Sequence, residues 1–197
     1  MRRIGLTVLA ALALPAASAH ADVKTVSKVE TYGISGESGQ ALMDAMDRKG
    51  PRHGFMARAI AQTRYSVGWE LGWTTAGGAC RLSAANVTLS VTYRYPALAE
   101  PADRGLTRKW ASFLKGVQKH EQTHGRIARK MVDEAYRSAL KVRVPKDPRC
   151  TAAKREVTRL VRATYARYEA EQQHFDALEH QPGGAVDRLV SNLIRRG

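Results

Sequence analysis

Tyr65, Val67, Trp69, Leu71 and Trp73 stand at every second position, with mostly polar or small residues between them. Alternation at period two puts these side chains on one face of a strand. Thr74 to Gly78 supply a turn, and Val87, Leu89, Val91, Tyr93 and Tyr95 alternate again. The two runs predict an antiparallel hairpin that stops at Pro96, because proline lacks the N–H a ladder needs. Val26, Val29, Tyr32 and Ile34, set among Thr and Lys, predict an earlier strand over 23–34. Ser38 can cap a short helix carrying Leu42, Met43 and Met46, which stops at Lys49-Gly50-Pro51.

The period then lengthens. Trp110, Leu114, Val117, Glu121, His124, Ala128, Met131 and Ala135 recur three or four residues apart and predict a long helix from Leu106 to Val142. Pro145 and Pro148 end it. A second helix is expected from Ala152 to about Leu178, with Val157, Leu160, Val161, Thr164, Tyr165 and Tyr168 inward. Gly183-Gly184 break the chain again, and Ala185 to Ile194 form a short amphipathic helix ending in Arg195 and Arg196. The expected class is α+β: a small antiparallel sheet packed against a pair of long helices.

The first residues change the picture of where this domain works. Arg2 and Arg3 precede an apolar run from Ile4 to Leu14, then Pro15 and small residues, which is the composition of a secretory leader over 1–21. Cleavage is expected after Ala17-Ser18-Ala19 or Ala19-His20-Ala21, leaving a mature start near Asp22. The apolar run is short of the ~20 residues a spanning helix needs, and no later run reaches that length. The rest suits one domain, 22–182, followed by a basic amphipathic tail, 183–197. An exported chain, periplasmic or secreted, meets oxidising conditions, so Cys80 and Cys150 are expected to pair.

The formal net charge is +14. Arg126, Arg129, Lys130, Arg137, Lys141, Arg155, Arg159 and Arg162 lie along the predicted helices, where they form a solvated face or attract anionic envelope polymers. No nucleic-acid-binding motif accompanies them.

His120-Glu121-Gln122-Thr123-His124 has the HExxH spacing. Residues i and i+4 stand one turn apart on a helix, so two imidazoles can reach one zinc ion, with Glu121 beside them as base for the zinc-bound water. The same carboxyl can return the proton to a departing amine. Zinc in a catalytic site has a third protein ligand. The metzincin continuation is absent, since Ile127 and Lys130 occupy the positions that would need Gly and His. Glu134 is too far along the helix. The second helix offers Glu169, Glu171, His174, Asp176, Glu179 and His180, of which His180 is the first choice.

These residues and their surroundings resemble a family of bacterial domains of unknown function described as predicted secreted zinc-dependent proteases. The resemblance rests on Thr31-Tyr32-Gly33-Ile34-Ser35-Gly36, Gly50-Pro51-Arg52, the run from Ala61 to Trp69, Cys80, Trp110, His120 to His124, and Cys150. The family's C-terminal signature is approximately Tyr-Asp-x-x-Thr-x-His-Gly, and its histidine implies His180 as third ligand. Here that stretch reads Phe175-Asp176-Ala177-Leu178-Glu179-His180-Gln181, with the histidine one position early and no glycine behind it, which leaves Asp176 and Glu179 as the other choices. The expected activity is hydrolysis of peptide bonds in a peptide or protein substrate by an exported zinc metallopeptidase. The alternative is an envelope binding protein that keeps the fold and the metal without turnover.

Overall fold

The structure, a computed structural model, describes residues 23–53 and 57–195, so the leader expected over 1–21 lies outside the described residues. The chain runs β1 (Val23–Ile34), α1 (Gly39–Lys49), β2 (Arg52–His53), β3 (Ala57–Arg58), β4 (Gln62–Ala76), β5 (Ala79–Leu98), α2 (Arg104–Leu140), β6 (Arg143–Val144), α3 (Thr151–His180) and α4 (Ala185–Ile194). Among the described residues, no helix is long and apolar enough to cross a membrane.

The expected hairpin is present and longer than the alternation alone indicated. Ala76 pairs with Ala79 across Gly77 and Gly78, whose φ values of 58° and 74° are the positive pair that a two-residue hairpin loop requires. β5 continues through Pro96 to Leu98. Beyond Arg94 it is flanked by β1 but no longer by β4, so a missing N–H interrupts no β4 ladder there. β1 joins the other side of β5 in parallel, with Val23 opposite Val87 and Ile34 opposite Leu98. The α+β class therefore stands with a mixed sheet of order β1-β5-β4, plus short β6 on β5. Local alternation defines a strand but not which neighbour it pairs with, which is why the parallel partner is invisible from the pattern of β1.

Helix α2 lies across one face of this sheet. Val87, Leu89 and Val91 pack there with Ala128, Met131 and Val132, all nearly inaccessible to water. The first half of α2 builds a second core, in which Trp110, Phe113 and Val117 meet Ile34, Leu42, Met46 and Leu193. The amphipathic segment expected as a tail thus packs into the domain as α4. Its approach is close, because a Cβ on Gly39 would stand 2.0 Å from the Leu193 carbonyl oxygen. Asp103 caps α2 by accepting from the N–H groups of Gly105 and Leu106, which satisfies two of the free donors at a helix start.

Cys80 and Cys150 are bonded, with Cα atoms 5.2 Å apart and positions 70 apart in sequence. They join Ala139, Val142, Ala153 and Val157 in a third apolar cluster. Buried Asp147 closes the turn before α3 by accepting from the N–H groups of Thr151 and Ala153. Covalent and capping contacts together seat the first turns of α3 beside the end of α2.

Candidate metal centre

The middle of α2 faces two ways at once. His120 and His124 point to α3, whereas Glu121, about 100° round the helix, points to the sheet. His120 and Glu121 are 7% and 6% exposed, so any polar atom of theirs left without a partner is costly. On α3, Gln172, Asp176 and Glu179 follow a three- and four-residue spacing and lie on the stripe that meets α2.

Three potential ligand atoms converge between the helices. Nε2 of His124 lies 3.2 Å from Nε2 of His120 and 2.9 Å from Oδ1 of Asp176. His120 Nε2 to Asp176 Oδ1 is also 3.2 Å. His180 stands close by: its ring is edge-on to His120 with centroids 5.2 Å apart, and its Nδ1 donates to the Asp176 carbonyl at 2.9 Å. One ligand atom from each of His120, Asp176 and His180 falls within 4.8 Å of the others. Phe175 covers the histidines, stacked on His120 at 4.9 Å and edge-on to His124 at 5.1 Å.

All three third-ligand choices are therefore near, in different relations. Asp176 touches both motif histidines, His180 borders the cluster, and Glu179 lies on the far side of the His120 ring, 3.6 Å from Nδ1. Glu169, Glu171 and His174 are exposed and take no part. Glu134 turns outward to Arg167 and Tyr168.

The electrostatics follow from this packing. Burial alone would push the Asp176 carboxyl up, but hydrogen bonds from His120 and His124 hold it well below the usual carboxylate range. Burial likewise pushes His124 down, and the bonds to Asp176 and Gln172 outweigh it, so the ring holds its proton above the ordinary value. Glu121 is separately anchored: Thr63 on β4 donates to its Oε2 at 2.6 Å and lies 3.0 Å from its backbone oxygen.

The donor set suits zinc in its atom types and its spacing. Two imidazole nitrogens and a carboxylate oxygen are zinc ligands, and a tetrahedral site with bonds of about 2.0–2.1 Å has edges of about 3.3 Å, close to the spacings here. Gln172 donates to the His124 carbonyl through Nε2, so its Oε1 faces His124 Nδ1, which must carry hydrogen. In the metal-free protein the ring also keeps a proton on Nε2, which it donates to Asp176; loss of that proton frees the Nε2 lone pair for a cation held between the ring and the carboxylate. Nδ1 of His120, the ring nitrogen outside this triangle, is buried without a hydrogen-bond partner, 3.6 Å from Glu179.

Sequence reasoning found the two histidines, Glu121 and the set containing Asp176. It missed Gln172, Phe175 as a cover, and Thr63. Continuing the inward stripe Val157, Val161, Thr164, Tyr168 at the same spacing lands on Gln172, Phe175 and Glu179, so the first two had a readable periodic signal. Thr63 had none, since its partner lies 58 residues away on another element.

No curated protein and no solved structure matches the chain. The family model described as bacterial protein of unknown function, DUF922, matches residues 29–184, from the middle of β1 through the rest of the sheet, both long helices, the disulfide and every residue of the converging cluster. The chain belongs to this family.

Proposed function

We propose that this protein is a zinc-dependent hydrolase of peptide bonds, acting outside the cytoplasm. The observation that carries the reading is the convergence of His120 Nε2, His124 Nε2 and Asp176 Oδ1 within 3.2 Å of one another on two packed helices. His120, His124 and Asp176 are the proposed ligands, with His180 bordering them. Zinc, when held, supplies Lewis acidity and a water with a pKa lowered to about 7. Glu121, held by Thr63 on the sheet side of α2, is the proposed base: its other carboxylate oxygen would take a proton from water and return it to the leaving amine. Phe175 shields the two rings from solvent, which strengthens charge interactions at the site. The disulfide supports an oxidising compartment, and the basic charge, +12 once Arg2 and Arg3 of the leader are taken from the +14, supports attraction to anionic envelope polymers there.

A second reading, a metal-holding binding protein without turnover, is favoured by the position of His180. A fourth protein ligand would close the tetrahedron and leave no site for water. The test is to load the purified protein with zinc, count metal per chain, and follow release of new amino groups from an unfolded protein substrate. One zinc per chain is expected, and Glu121→Gln should keep it while losing about 10²- to 10⁴-fold in rate. No zinc uptake would overturn the metal centre; uptake with no turnover by the unaltered chain would move the choice to the binding reading.

A further inference from the structure

We propose that Gln172 is a positioning residue for His124: it locks the ring with hydrogen on Nδ1 and presents Nε2 to the metal. This rests on the metal-centre reading above. Gln172 is 7% exposed, and apart from it α3 buries only Ala153, Val157 and Thr164. Its amide is used twice on one residue. Nε2 donates to the His124 backbone oxygen at 3.2 Å, and Oε1 accepts from His124 Nδ1.

These contacts leave the amide one workable orientation. Turning it over would set its oxygen against the His124 carbonyl, two acceptors facing each other, and its NH₂ against Nδ1. The ring is therefore held by its own backbone as well as by its side chain. Nε2 is the nitrogen left for Asp176 and the metal. His120 has no such clamp, because its Nδ1 is 3.6 Å from Glu179 and makes no hydrogen bond. Of the two motif histidines, His124 is the one whose direction is set in advance, and outer partners of this kind change metal affinity about 10- to 100-fold.

Gln172→Met keeps the length of the side chain and removes both polar contacts, whereas Gln172→Glu keeps an acceptor at Nδ1 and gives up only the bond to the His124 carbonyl, against which it sets its second oxygen. Zinc affinity, measured by competition with a chromophoric chelator on the full chain, should fall about 10- to 100-fold in Gln172→Met and by a smaller factor in Gln172→Glu. Thermal midpoints of the metal-free variants identify any loss that is merely structural. Wild-type affinity in Gln172→Met, or equal losses in both variants, would overturn the proposal. A second measurement is independent of zinc: a slowly exchanging His124 Nδ1 proton should be visible by NMR in the wild type and absent in Gln172→Met. A wild-type chain that takes up no zinc but shows this proton refutes the metal centre and still upholds the lock; absence of the proton from the wild type refutes the lock.

Discussion

At its N-terminal end α3 is fastened by a covalent bond, by Asp147 and by the apolar side chains of Ala153 and Val157. Toward its C-terminal end the same helix turns Gln172, Asp176 and Glu179 to the same partner, α2, with Phe175 the apolar member. The first end is satisfied by contacts within the chain. The second gathers two imidazoles and two carboxyls in a confined space and leaves a buried nitrogen unpartnered, an arrangement that packing alone does not favour. Structural adhesion and chemistry are thus separated along one helix: α3 is anchored where nothing reacts and is polar where the proposed ligands meet.

Opening the Cys80–Cys150 bond is the strongest way to break this division. The bond closes a loop of 70 residues, and its loss should lower stability by about 4 kcal/mol on the loop-entropy estimate. Urea unfolding with and without reductant measures the change. Zinc affinity of the reduced but still folded chain should stay within about tenfold of the oxidised value if the two ends act separately. A stability change under about 1 kcal/mol would mean that the apolar cluster alone seats this end of α3.

The pH response sharpens the contrast, because the titrating pair sits at only one end. In the metal-free protein the raised His124 pKa contributes stability that is full below about 6.5, the ordinary value, and fades as pH rises through the raised one. Asp176, held low, contributes above its ordinary value of 3.8 and loses this as pH falls. Zinc must displace the His124 proton, so its affinity should rise by up to about tenfold per pH unit below the raised pKa and level off above it. Over that upper window the metal-free chain is expected to weaken while zinc binds more tightly. Melting curves at several pH values, with zinc and with a chelator, give the two slopes; parallel slopes would exclude His124 as the group displaced.

Much of the first end was legible in the sequence, and half of the second. The cysteines, the break at Pro145 and Pro148, and the apolar spacing of Val157 and Val161 are local signals with one physical meaning each. HExxH is equally local, since one helical turn explains its spacing. The partners across the helix pair are different. Glu171, Gln172 and Gln173 are three long polar residues in a row; the inward stripe singles out the middle one, but that its amide meets His124 depends on the register of α3 against α2. The choice among Asp176, Glu179 and His180 depends on the same rotation. Thr63 and the parallel pairing of β1 depend on contacts between distant segments that no periodicity encodes.

The smallest expected effect lies between the two ends, where Glu134 on α2 accepts from Arg167 and from Tyr168 on α3. The Tyr168 bond first, and then Arg167, hold the Glu134 carboxyl below its ordinary value, so the contacts contribute above about pH 4.5 and fade as pH falls. The Arg167 side chain is 58% exposed and Glu134 36%, which leaves the pair screened by water and salt. Glu134→Gln should therefore lower stability by less than about 1 kcal/mol near neutral pH, with the difference shrinking in high salt. Zinc affinity should not move, because Glu134 has no contact with His120, His124 or Asp176 among those that build the cluster. A larger loss, or a weakened zinc site, would mean that the middle of α3 transmits strain to the metal end and that the two ends are not independent.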